Sequence, residues 1–186
     1  MVVHAFNSLE AMRKATAKTH VFLSSSTVYG KANVIPTPED ISPLTPISVY
    51  ESSKFACEAF SAGYLRAHGI TSLILRLADV VRSRATRGIT PDFVTKLRRD
   101  PTRLEVLGDG MQDKSYIHLD DCIEGILVAL EEFLASDSED PVNVGNDDGS
   151  SAMEIARVVA GEMLLKEVSI EPGGGSRRWS QIAGRC

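Results

Sequence analysis

Two short, unbroken apolar runs, Val21-Phe22-Leu23 and Leu73-Ile74-Leu75, flank a helical segment that runs from about Ser48 to His68 and is stopped by Gly69. Runs this short and this apolar suit strands buried on both faces, and a glycine just past a periodic segment ends a helix. The alternation continues downstream. A helix through Leu97 is expected from Thr90-Pro91, read as a cap followed by proline at the first helical position. Short strands are expected at Leu104–Leu107 and Ser115–His118, around the turn Gly108-Asp109-Gly110, with another at Val142-Asn143-Val144 and a last one at Val168-Ser169-Ile170. Asp120 or Asp121 is read as the cap of a helix to about Leu134, and Ser151-Ala152-Met153-Glu154 as a capping box for a helix through Met163. Strands alternating with helices imply the α/β class, a mostly parallel sheet with helices on its faces.

The chain opens on a helix, Val2 to about Thr16, whereas a doubly wound sheet opens on a strand whose following turn binds dinucleotide phosphates. No Gly-x-Gly-x-x-Gly cluster stands near the start. The expected fold is therefore the C-terminal half of a doubly wound parallel sheet plus a small α+β portion. Pro36, Pro38, Pro43 and Pro46 make residues 30–46 an irregular, fairly rigid loop.

Composition narrows the function classes. A net charge of −5 argues against nucleic acid or an anionic membrane as the main partner. No apolar run approaches the ~20 residues of a membrane span. Cys57, Cys122 and Cys186 are odd in number and far apart, neither a metal knuckle nor a disulfide framework. A reducing cytoplasm is the simplest home, no metal is expected, and Cys57 reads as helix packing. His4, His20 and His68 are expected at the surface, and His118 in a structural role.

The chemistry lies in Val49-Tyr50-Glu51-Ser52-Ser53-Lys54 and an upstream strand end, Ser24-Ser25-Ser26-Thr27. Helix positions i and i+4 share a face. A lysine cation beside a phenol favours the phenolate, which can exchange a proton with a substrate hydroxyl. A serine hydroxyl from a neighbouring strand can hold the same substrate oxygen. The set suits alcohol/ketone interconversion, the companion of hydride transfer to a nicotinamide.

Tyr50-x-x-x-Lys54 with Ser25-Ser26-Thr27-Val28-Tyr29-Gly30 resembles the extended short-chain dehydrogenase/reductases, and within them the NAD-dependent nucleotide-sugar epimerases of the UDP-glucose 4-epimerase type. Leu75-Arg76-Leu77-Ala78-Asp79, the segment Gly108 to His118, and Asn143-Val144-Gly145 resemble further motifs in the same order. The resemblance implies a Rossmann-like fold, NAD as cofactor, a nucleotide-sugar substrate and a homodimer packed through the helix carrying Tyr50 and the one before Val21. It implies Ser25, Tyr50 and Lys54 as catalytic, with Tyr50, Lys54 and Ser24 at the cofactor. Ser26, Thr27, Asp79, Lys114 and Arg177 would face substrate, Lys114 and Arg177 at its diphosphate. Three positions depart from the family pattern: Glu51 and Arg82 where glycine is usual, and Asp79 where asparagine is common.

The resemblance begins in mid-family, without the first strands, the phosphate loop or the acidic residue for the adenosine ribose, so truncation at both ends is expected. Residues 1–77 are assigned to a partial NAD-binding domain, 78–179 mainly to a substrate-binding portion interleaved with the sheet, and 180–186 to an irregular tail. Two alternatives remain: a dehydratase or reductase of the same family, and a non-catalytic remnant or subunit completed by a partner. A dehydratase typically has an Asp-Glu pair where Ser26-Thr27 stand.

Overall fold

The computed structural model describes residues 1–136 and 139–173. Helix α1 (Val2–Lys14) leads to β1 (Thr19–Ser25), a 3-10 turn at Ser26–Tyr29, α2 (Val49–His68) and β2 (Thr71–Leu77). Then follow β3 (Asp79–Val81), α3 (Ile89–Arg99), β4 (Arg103–Val106), β5 (Asp113–His118) and α4 (Leu119–Ala135). The chain finishes with β6 (Val142–Val144), β7 (Gly149–Ser151), α5 (Ala152–Glu162) and β8 (Ser169–Pro172).

The main sheet has the order β1-β2-β6 and is wholly parallel, with Val21 opposite Leu73, Leu23 opposite Leu75 and Leu75 opposite Val142. Strand β2 is central and buried from Ser72 to Arg76, which is why its sequence is an unbroken run rather than an alternating one. Helix α2 packs on β1 and β2 with α1 behind it, around Leu9, Tyr64 and Ile70. Helix α4 covers the other face, packing Cys122, Ile126, Leu130 and Phe133 over Leu73, Leu75 and Val144. Helices on both faces of a parallel sheet are the α/β arrangement expected from the alternation.

The chain leaves this sheet at Ala78 and passes into a second, β3-β5-β7, in which β3 and β5 are parallel and β5 and β7 antiparallel. A parallel pair, β4-β8, closes a separate core with α3 and α5, built from Phe93, Leu97, Leu104, Val106, Ala156 and Val159. Among the described residues no helix is long and apolar enough to cross a membrane, and no cluster of His, Cys, Asp or Glu is placed to hold a metal ion.

Three local expectations are corrected. Helix α3 starts at Ile89 behind Gly88, with no side-chain cap, so Thr90 lies inside the first turn. Pro91 is tolerated there because first-turn N–H groups lack helical partners anyway. Helix α4 is capped by His118, whose Nδ1 accepts from the Asp120 N–H at 3.3 Å; Asp120 and Asp121 sit in the first turn, where the helix dipole favours them. His20 is only partly exposed: it is half-buried, 3.2 Å from the Ser72 hydroxyl and stacked on Phe22, and burial pushes its imidazole pKa down. Cys57 is fully buried, as expected.

The loop after the 3-10 turn is closed by a bridge between Gly30 and Thr45. Gly30 has φ +64, and a Cβ there would stand 1.9 Å from the Thr45 carbonyl oxygen. Gly30→Ala is expected to lower stability by roughly 1–3 kcal/mol, read by urea unfolding.

Candidate active site

Helix α2 begins with a capping box. Ser48 Oγ accepts from the Glu51 N–H at 3.2 Å, and Glu51 Oε2 accepts from the N–H groups of Ser48 at 2.9 Å and Ile47 at 2.5 Å. Glu51, the unexpected residue beside Tyr50, is therefore the buried carboxylate of the cap, 1% exposed. The cap fixes the turn that carries Tyr50. Ser48→Ala is expected to cost about 1 kcal/mol of stability, measured by thermal unfolding.

One turn further on, Lys54 Nζ lies 5.9 Å from the Tyr50 ring centroid and 5.2 Å from that of Phe22. It donates to the Leu23 carbonyl at 2.6 Å, which ties α2 to the carboxyl-terminal half of β1. Lys54 is half-buried, and that burial pushes its ammonium pKa down. Tyr50 is 49% exposed. The phenol is thus open to an incoming molecule while the ammonium behind it is held.

Ser25, two residues beyond Leu23, is half-buried and caps the 3-10 turn: its Oγ accepts from the Thr27 N–H at 3.4 Å and lies 3.0 Å from Thr27 Oγ1. Helix α2 packs against both β1 and this turn, so Ser25, Tyr50 and Lys54 sit on elements in mutual contact. Ser26 is buried and Thr27 half-buried. Ser24 is buried, and its hydroxyl donates to Glu58 Oε1.

That last bond opens onto a polar network unforeseen in the sequence. The Glu58 carboxylate pairs with Arg76 at 2.8 Å, and both side chains are buried, 6% and 5% exposed. Arg76 Nη1 donates to the Tyr29 hydroxyl and to the Glu39 carbonyl, each at 3.0 Å. The Tyr29 hydroxyl donates to Asn143 Oδ1 at 2.7 Å, and Asn143 Nδ2 donates to the Thr37 carbonyl at 2.9 Å. Burial alone would lower the Arg76 pKa, but Glu58 and Tyr29 leave it raised; burial also pushes the Tyr29 phenol up. The network joins β1, α2, β2, β6 and the proline-rich loop beneath the proposed catalytic groups.

Past the end of β2, Asp79 and Lys114 form an ion pair at 2.8 Å between β3 and β5. Tyr116, opposite Asp79, has its phenol pushed up to about 12 by burial and by the charges of Asp79 and Asp113. Arg82 is exposed just beyond β3, and Arg177 lies outside the described residues.

Comparison with known proteins follows the same lines. A family model described as "NAD dependent epimerase/dehydratase family" matches residues 2–145. GDP-mannose 3,5-epimerase 1 of Oryza sativa subsp. japonica is 30% identical over 165 residues, covering 83% of this chain and 43% of that protein. A putative UDP-glucose 4-epimerase of Methanocaldococcus jannaschii is 30% identical over 174 residues, covering 91% and 55%. A crystal structure of UDP-galactose 4-epimerase superposes with a TM-score of 0.85 at 43% identity, covering 94% of this chain and 57% of that one. The chain thus spans about half the length of the relatives it matches.

Proposed function

We propose, given that the chain belongs to the NAD dependent epimerase/dehydratase family, that it carries the proton-transfer half of a nucleotide-sugar 4-epimerase acting on a UDP-hexose. The observation that carries this reading is Lys54, anchored to the Leu23 carbonyl at 2.6 Å and facing the exposed Tyr50 ring. In this reading Tyr50 takes the proton of the sugar C4 hydroxyl and later returns it. The Lys54 ammonium favours the phenolate through that exchange, and the Ser25 hydroxyl holds the same sugar oxygen. Lys114 and Arg177 are assigned to the substrate diphosphate, with Asp79 beside Lys114, and Ser26 and Thr27 to the substrate next to Ser25.

The donor set fits the nicotinamide-ribose end of NAD, because an ammonium and a phenol stand together at the carboxyl-terminal end of a parallel strand. Tyr50 and Lys54 would hold that end, and Ser24 is assigned to the cofactor with them. When bound, the cofactor supplies the hydride acceptor and donor. A homodimer is also proposed, supported by the exposure of Val3 and Phe6 on α1 and Phe55 on α2.

The test is to join the chain to the amino-terminal half of a related epimerase and follow conversion of UDP-glucose to UDP-galactose. Turnover by the NAD-loaded chimera is expected. A folded chimera that binds NAD and converts nothing overturns the reading. The dehydratase alternative lacks support, since Ser26 and Thr27 hold the places of its acidic pair.

A second reading, a subunit completed by another polypeptide, is favoured by one surface. Among the described residues strand β1 pairs with β2 alone, and Val21 and Leu23 on its outer face are 40% and 45% exposed. A separate, mainly apolar cleft of about 550 Å³ lies between α4 and the β2–β6 side of the sheet, lined in part by Leu73, Ile117, Val128, Phe133 and Val144. Apolar sheet edges and faces invite association. The isolated chain is therefore expected to self-associate in light scattering and to bind NAD weakly. Micromolar NAD binding by a stable monomer, read by calorimetry, removes this reading.

A further inference from the structure

We infer that Asp79 is a built-in competitor for Lys114, so that an anionic diphosphate gains this lysine only by displacing a carboxylate. The inference rests on the substrate assignment above. Both side chains are reachable, with 28% of the Lys114 side chain and 44% of the Asp79 side chain exposed, and they meet at 2.8 Å. The pairing follows from strand register. Asp79 of β3 stands beside Tyr116 of β5, and Lys114 lies two residues back on the same face of β5. Ion pairs this exposed are weak and screened, so an anion of higher charge can break the pair. Asp79 then remains beside the incoming anion and opposes it. Tyr116 adds no charge, since its phenol stays protonated near neutral pH.

Asparagine keeps the shape of aspartate and can still accept a hydrogen bond from Lys114, but it carries no charge. One unit charge about 4 Å from another, in a dielectric between those of water and a protein surface, corresponds to roughly a tenfold change in affinity. Charge at position 79 thus sets how strongly the site discriminates against highly charged ligands.

Calorimetric titration of the chain with inorganic pyrophosphate, UDP-glucose and NAD tests this, with circular dichroism confirming that each variant is folded. Asp79→Asn is expected to bind pyrophosphate and UDP-glucose about tenfold more tightly than the parent. Lys114→Met in the Asp79→Asn background is expected to remove that gain, and NAD affinity is expected to be the same in parent and Asp79→Asn. The inference falls if Asp79→Asn binds no more tightly, if it binds neither diphosphate, if the gain survives Lys114→Met, or if NAD gains equally. A tenfold gain in a chain whose chimera converts no sugar leaves the inference standing and removes the epimerase reading. Turnover with an unchanged KM in Asp79→Asn does the reverse.

Discussion

Arg76→Met is expected to lower the unfolding free energy by about 3–5 kcal/mol, the largest stability effect of any single substitution considered. The reason is what remains. Glu58, 5% exposed, would keep its carboxylate with only the Ser24 hydroxyl and no cation. The Tyr29 hydroxyl and the Glu39 carbonyl would each lose a charged donor. Removing all the linked polar groups together behaves differently, because a well-packed apolar set can replace a buried pair at little cost. Arg76→Met with Glu58→Leu and Ser24→Ala is therefore expected to recover most of the loss. Urea unfolding of the parent, the single variant and the triple variant measures both steps. A single variant within 1 kcal/mol of the parent would show that the pair is hydrated in solution and does not brace α2.

That network marks the limit of what local sequence reveals. Strand β2 is legible in the sequence, because a strand buried on both faces favours an apolar run and Leu73-Ile74-Leu75 supplies one at its centre. The end of α2 was legible for an equally local reason: Gly69 adopts the left-handed conformation that stops a helix. Glu51 was noticed only as a departure from glycine, although Ser48-x-x-Glu51 spells a capping box and would have explained it. Glu58 has no signal of its own in the sequence, and Arg76 stands out only as part of Leu75-Arg76-Leu77-Ala78-Asp79. Their meeting spans 18 residues, Arg76 to Tyr29 spans 47 and Tyr29 to Asn143 spans 114, so only the packed sheet brings them together. Asp79 and Lys114 were each assigned to substrate, but their pairing depends on the register of β3 against β5, which neither segment encodes alone. His118 reads as a structural residue but not as the cap it provides, since aspartate is the commoner capping residue and Asp120 and Asp121 stand two and three positions on.

Tyr50→Phe is expected to reduce kcat of the complemented enzyme by about 10²–10⁴-fold with little change in KM, because only the proton-exchanging hydroxyl is removed. The fold should not notice: the side chain is 49% exposed, and stability is expected to stay within about 0.5 kcal/mol of the parent. Lys54→Met differs, since it also removes the bond to the Leu23 carbonyl that ties α2 to β1. It should lower kcat similarly and cost some stability as well. The pH profile adds an independent check. Burial lowers the Lys54 pKa, so the ammonium is fully present at low pH and is lost as pH rises through a value below the ordinary lysine range. If that charge favours the phenolate during turnover, activity falls on the alkaline side earlier than a solvated lysine would allow. Lys54→Arg, charged throughout that range, should carry the alkaline limb upward in any variant that retains turnover. A Tyr50→Phe enzyme with the parent's kcat, or an alkaline limb unmoved by Lys54→Arg, would remove the phenol–ammonium pair from the chemistry and leave α2 a purely structural helix.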